Sequence, residues 1–407
     1  MSWLLVAAPL LCLADPCALV GARVEVGDGT VHERATVLLR DGKIVAVGPR
    51  LALPEGTRRI DVSGKTITPG LVEVHSLFGL SEVSAVQSTS DHALGGEVAA
   101  PGFRVAPAFN PESMRIPLAR SEGITGTVIR PTGALLHGEG VWVDLSGELA
   151  DRPDPTRPAA AFGAVGEGAA ASVGGSRGGV WLRLRQHFED ARAYGKDRKA
   201  FERGASRPLS LSPLHLRALL PVLAGALPLV LEADRASDIL AALDLAREEK
   251  LRLVITGGAE AWRVAAELKA AGVPVILRPS QQRPTRFETL KAVDDAATRL
   301  HAAGVRLVIT GAGWTMAPGR LRQEAGLAVA QGLPRAEALR AITLTPAELM
   351  GKGAELGSLS PGKRATLVVW SGDPLELSTV AETVLIDGRE RSLRTRQLDL
   401  AERYLAR

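Results

Sequence analysis

Leu229-Val230-Leu231-Glu232-Ala233, Leu253-Val254-Ile255-Thr256-Gly257, Val273-Pro274-Val275-Ile276-Leu277 and Arg306-Leu307-Val308-Ile309-Thr310 are short, nearly continuous apolar runs. Runs of this length without polar alternation mark strands buried on both faces. Between them, Ser237 to Lys250, Ala259 to Ala271 and Leu290 to Ala303 carry apolar residues at helical spacing. Strand then helix, repeated in this order, builds a parallel sheet. Gly126-Thr127-Val128-Ile129-Arg130 adds a further strand upstream. Five such units favour an α/β fold closed as a (β/α)8 TIM-like barrel, with an open doubly wound sheet as the alternative. Ala150 to Gly179, rich in Ala, Gly and Pro, reads as a long loop.

Outside this region the grammar changes. Ala18 to Val26, Ala35 to Arg40 and Lys43 to Gly48 alternate in strand fashion around Gly27-Asp28-Gly29 and Asp41-Gly42. Asp-Gly between β-branched runs is a strong hairpin signal. Arg59 to Val62 and Lys65 to Thr68 follow, and similar strands return at Thr366 to Trp370 and Val380 to Arg389. Neither end has enough strands to bury a face alone, so a small composite β-sandwich built from both chain ends is expected. The expected boundaries are 1–17 for a signal peptide and lead-in, 18–66 plus 353–391 for the β-domain, 67–352 for the barrel and 392–407 for a helical tail.

The chain has 407 residues, of which 46% are hydrophobic, enough for a large core. Its 49 basic and 45 acidic residues are interspersed as on solvated helix faces, and no basic block occurs, which argues against nucleic-acid binding. Both cysteines, Cys12 and Cys17, precede the first predicted strand, so the main body has neither a disulfide framework nor a Cys-based zinc site. The apolar run Trp3 to Leu11 ends in Cys12-Leu13-Ala14, a small-x-small cleavage pattern without a basic n-region. It is too short to span a bilayer, and no other segment reads as a membrane span. Export to the periplasm or beyond is expected; an apolar N-terminal strand on a cytoplasmic protein is the alternative.

Thr68-Pro69-Gly70-Leu71-Val72-Glu73-Val74-His75-Ser76-Leu77-Phe78-Gly79 resembles the first barrel strand of the amidohydrolase superfamily, particularly its imidazolonepropionase-like branch, where Pro-Gly-Leu/Phe-Ile-Asp-x-His-x-His is usual. Gly362 to Trp370 resembles that family's PGKxADLVVW strand, and Ala336 to Leu349 its ALRAxTxNPAxxLG helix. The likeness runs from about Ala18 to Arg389 and includes the split β-domain. It implies one or two divalent metals at the C-terminal mouth of the barrel, activating water for attack on a carbonyl, with a carboxylate accepting the proton.

The ligand positions that the resemblance implies are mostly substituted. His-x-His is His75-Ser76-Leu77; the histidine of the later V-H-A pattern is Glu232, followed by Asp234; the next falls at Thr256-Gly257-Gly258; and the last strand runs Ile309-Thr310-Gly311-Ala312-Gly313-Trp314 with no aspartate. Val180 to Arg185 offers no lysine to be carboxylated. His75 and Glu232 are the residual metal candidates, too few for a catalytic zinc. No resident cofactor is therefore expected.

Other candidates are weaker. His137 and Glu139 lie in Gly133 to Leu145, either a polar pair over the site or an exposed turn between strands. His75 and Ser76 are neighbours on a strand and point to opposite faces, so they cannot pair as base and nucleophile. His92 is expected to be solvated, His187, His215 and His301 to lie at the surface, and Trp181, Trp262 and Trp370 in the core. Trp314 is expected to fill space at the mouth.

The expected function is a relative of hydrolases of non-peptide carbon-nitrogen bonds, catalytically impaired, acting as a binding or partner subunit. Its partners would be a small molecule at the barrel mouth or an intact amidohydrolase relative, in a homo- or hetero-oligomer. The alternative is an active hydrolase of cyclic amides or dipeptide-like substrates, using His75, His137, Glu232 and Asp234 with a single divalent metal such as zinc, or none. A purely structural barrel with a plugged mouth is the third reading.

Overall fold

Both chain ends meet in one sheet. The computed structural model describes residues 16–83, 85–149, 152–203, 207–311 and 320–405. The N-terminal portion supplies β1 (Cys17–Glu25), β2 (Val31–Arg40), β3 (Lys43–Gly48), β4 (Arg58–Asp61) and β5 (Thr66–Pro69). Asp41 and Gly42 both take positive φ, 51° and 68°, and turn β2 into β3 as the Asp-Gly pair predicts.

From β5 the chain passes through Gly70 directly into β6 (Leu71–Ser76). Then come α1 (Arg115–Ser121), β7 (Ile124–Ile129), β8 (Leu136–Asp144), β9 (Ala160–Ala164), α2 (Glu167–Ser172), α3 (Arg177–Lys196), α4 (Arg198–Glu202), α5 (Pro213–Leu223) and β10 (Leu229–Ala233). The barrel continues with α6 (Ala236–Glu249), β11 (Leu253–Gly257), α7 (Ala265–Ala270), β12 (Val275–Leu277), α8 (Ala296–Ala302), β13 (Leu307–Ile309), α9 (Arg320–Ala330), α10 (Arg335–Arg340) and α11 (Leu344–Leu349). β14 (Leu367–Trp370), β15 (Ala381–Ile386), β16 (Arg389–Glu390) and α12 (Arg396–Leu405) complete the order.

β6 to β13 form an eight-stranded sheet in sequence order. The segment after α10 bridges its two ends: Ile309 donates its N–H to Ala341 O at 3.0 Å and Val72 to Ile342 O at 2.9 Å. Inside lie Val72, Val74, Val128, Phe162, Val230, Val254, Ile276 and Val308; the opposite strand faces pack on the helices, so both faces are buried as the apolar runs require. The expectation of a wholly parallel barrel needs correction, because β8 runs antiparallel to both β7 and β9. Gly138, Gly140 and Gly163 let backbones approach there; a Cβ on Gly140 would lie 2.5 Å from the Phe162 ring.

Three further corrections concern local elements. The stretch 150–179 is not one long loop, since it holds β9, α2 and the first turn of α3. Val180 to Arg185 lies inside α3, so the strand before β10 is β9, which ends in Gly163-Ala164 and carries no lysine. Helix α8 spans only seven residues of the longer segment 290–303.

In the second sheet β14 pairs antiparallel with β5, and β5 parallel with β1, joining C-terminal to N-terminal strands. Trp370, fully buried at the end of β14, donates its indole N–H to Thr68 Oγ1 at 2.8 Å and presses its ring on Gly123 at the start of β7. Arg335 in α10 reaches buried Glu25 of β1 at 2.5 Å and Asp373 at 2.7 Å.

Candidate functional site

Side chains two apart on a strand share a face. Val128, Val230, Val254, Ile276 and Val308 form an apolar ring inside the barrel, so Arg130, Glu232, Thr256, Arg278 and Thr310 form the next ring at the C-terminal strand ends. On β6 the pairing with β7 shifts between Glu73 and Ser76. The His75 ring stacks on Phe162 inside the barrel, with centroids 6.2 Å apart and planes at 29°.

Glu73 is buried and fully engaged. Its Oε1 accepts from the His75 N–H at 3.0 Å and the Thr310 hydroxyl at 2.6 Å, and its Oε2 from the Gly311 N–H at 2.8 Å. The carboxylate thus ties the first barrel strand to the last. In the same way Glu324 of α9 holds Arg278 at 3.0 Å and the Ser280 hydroxyl and N–H, which neutralises Arg278.

Arg130 is different. Its guanidinium makes one hydrogen bond, Nη1 to Pro131 O at 3.3 Å, its Nε is buried without an acceptor, and it forms no ion pair among the described residues. Burial pulls it below its ordinary range, while Glu232 and then Glu73 pull the other way. His137, near the start of β8, is 5% exposed. Burial first, and Arg130 second, push its pKa down to about 3; a hydrogen bond to the Ala134 backbone offsets this only in part. His75 is held well below its usual value by burial, then by Arg130 and His137. Both imidazoles are therefore neutral at pH 7. Glu232 is partly exposed and has no side-chain hydrogen bond among the described residues.

The barrel and its split β-sheet match known proteins. A family model described as "Amidohydrolase family" matches residues 310–391. A crystal structure of an amidohydrolase from Thermotoga maritima MSB8 superposes with a TM-score of 0.84 at 27% identity, over 93% of this chain and all of that one. The chain belongs to the amidohydrolase superfamily. Imidazolonepropionase of Acidiphilium cryptum is 28% identical over 377 residues, covering 85% of this chain and 89% of that protein. Amidohydrolase tasK of Hapsidospora irregularis is 23% identical over 403 residues, but the chain spans only 41% of that protein's length.

Among the described residues no group of three or more His, Cys, Asp or Glu stands close enough to hold a metal ion. Residues 312–319, which follow the last strand and lie outside the described residues, contain none of these four types. Half-buried Arg130 interacts electrostatically with Glu232 and Glu73.

His75, His137 and Glu232 each interact electrostatically with Arg130. Asp234 is turned away: its carboxylate accepts from the Ala259 N–H at 3.2 Å and pairs with Arg286, while burial raises its pKa to about 6. The exposed-turn reading of His137 and Glu139 is corrected, since both are buried on β8, Glu139 held by Arg104 at 2.6 Å. His187 is buried rather than at the surface, with Nδ1 2.8 Å from the Ser210 hydroxyl. His92 bonds Thr132 at 2.8 Å and His215 lies 3.0 Å from Glu97. Trp314 lies outside the described residues. Arg130 and Glu73 escaped the ligand-by-ligand reading of the sequence because neither is a substituted histidine; period-two counting from Val128 would have flagged Arg130.

Proposed function

We propose that this chain is a metal-independent member of the amidohydrolase superfamily, related to hydrolases of non-peptide carbon-nitrogen bonds and acting as a small-molecule binding or partner subunit. The observation that carries this is the half-buried Arg130 guanidinium, which interacts electrostatically with His75, His137 and Glu232, so that a dication there would meet a fixed positive charge. Arg130 supplies a positive charge to a mouth whose own imidazoles are neutral, and the sequence Ile309 to Trp314 at the end of β13 carries no aspartate or glutamate of its own. Elemental analysis of the purified chain, after expression with zinc and after chelation and reconstitution, is expected to find strongly substoichiometric, readily stripped metal. About one tightly held divalent ion per chain would overturn the reading.

A second reading is a hydrolase without a resident metal, favoured by Glu232, which is partly exposed with no side-chain hydrogen bond among the described residues, and by a neutral His75. It requires measurable turnover of a cyclic amide or dipeptide that His75→Ala or Glu232→Gln abolishes. No described helix is long and apolar enough to cross a membrane. We propose export on the strength of the apolar run before Ala14, and the N-terminal mass of the mature protein tests it.

A further inference from the structure

At the end of the barrel where β9 begins, away from the mouth, lies a cavity of about 320 Å³. Its wall includes Ala159, which immediately precedes β9, Trp142 of β8, and Met350, which follows α11. Met350 is buried in the apolar cluster inside the barrel, and Trp142 and Ala159 pack against that cluster. Trp142 can offer a ligand only ring surface, because its indole N–H already donates to Asp144 Oδ1 at 2.9 Å, and Arg364 holds Asp144 in turn at 2.7 Å. An indole ring beside a methionine suits a flat, polarisable partner.

The same cavity is lined by Asp154, Arg157 and Lys352. Asp154 is engaged by its own turn: Oδ1 accepts from the Thr156 N–H at 2.8 Å and the Thr156 hydroxyl at 2.6 Å. Arg157 reaches the other oxygen only at 3.9 Å, and Lys352 has no side-chain hydrogen bond or ion pair among the described residues. Two cations thus share one carboxylate, which leaves one positive charge unanswered. The turn that carries Arg157 is fixed, since the Arg157 N–H donates to Asp154 O at 3.1 Å and the Ala159 N–H to Gly140 O at 2.8 Å.

We propose that this cavity binds a small aromatic carboxylate, a benzoate or an indole acid, with its ring on Trp142 and Met350 and its carboxylate toward Arg157 and Lys352. Volume sets the size, because ligand pockets run from about 300 to 1,000 Å³ and this one stands at the small end. Charge and surface together set the class. An inorganic anion would leave the Trp142 ring uncovered, a neutral ring would leave the cations unanswered, and an aromatic amine would meet like charge.

The test is isothermal titration calorimetry of the full chain with benzoate and indole-3-carboxylate, each against its neutral carboxamide. At least one acid is expected to bind with a Kd of about 1 mM or below, and its amide at least about tenfold more weakly. In the double variant Arg157→Gln, Lys352→Gln, the acid is expected to fall to the affinity of its amide. Trp142→Phe keeps an aromatic wall and is expected to abolish the ligand-induced change in tryptophan emission while affinity falls by less than about tenfold. Melting curves verify that both variants fold. No heat from either acid at about 10 mM overturns the proposal, as does an amide that binds as well as its acid. Unchanged affinity in the double variant, or an emission change that persists in Trp142→Phe, overturns it too, since the acid then sits elsewhere. The cavity shares no lining residue with the mouth, so metal content and turnover there leave these outcomes unaffected.

Discussion

Glu73 shows how one carboxylate can close a barrel. Its three donors come from its own strand and from the end of β13, so Glu73→Gln turns an amide N–H₂ toward at least one of them. A loss of about 2–3 kcal/mol in urea unfolding is expected, against about 1 kcal/mol for Thr310→Val, which removes one donor. The buried histidines give the fold an acid limb. His137, at about 3, and His187, at about 4, sit below the ordinary 6.5, chiefly through burial. Between those values and 6.5 the unfolded chain binds protons that the folded chain refuses. Their stabilising contribution is therefore complete above 6.5 and falls as pH drops toward 4, by at most about 1.4 kcal/mol per pH unit for each histidine. Asp234 works in the opposite sense: its folded value, about 6, lies above the ordinary 3.8, so the folded state gains on acidification. Urea midpoints measured from about pH 8 to about pH 4 should show a shallower loss in His137→Leu and a steeper one in Asp234→Asn.

Elements were legible where local pattern and burial coincide. The Asp41-Gly42 hairpin and strands β10, β11 and β13 lie where the apolar runs place them. β8 was not legible as antiparallel, because Leu136 to Asp144 has the same composition whichever way it runs, and direction follows from how the segment after β7 returns. In α3, Trp181-Leu182 beside Leu184 imitates a strand over a few residues, although Leu182 is exposed and Val180, Leu184 and Phe188 are buried at helical spacing. One glycine at an element boundary has a definite requirement. Gly123 takes φ 79°, and a Cβ there would lie 2.2 Å from the Trp370 ring. Gly123→Ala is expected to cost about 3 kcal/mol or more in thermal or chemical unfolding, from the clash and the left-handed backbone together.

At the scale of the molecule, the β-sheet and barrel are joined by continuous chain from β5 to β6, by Trp370 against Gly123, and by Arg335 between Glu25 and Asp373. Glu25 is buried, and Arg23 at 3.2 Å is its other partner. Arg335→Met is expected to destabilise by about 3 kcal/mol, because it leaves a desolvated carboxylate half-paired. Calorimetry of the intact chain is expected to show one transition; two well-separated transitions would mean that this seam does not couple the two parts. The sequence by itself determined the strand-helix succession and the β-sheet built from both chain ends, since each depends on residue type and near-neighbour spacing. The pairing of Glu73 with the last strand, the stranding of Arg130 without an ion pair, the burial of His137 and the turning away of Asp234 were decided only by tertiary structure. These contacts join residues up to 238 positions apart, and whether a polar group is satisfied depends on what the closed barrel brings opposite it.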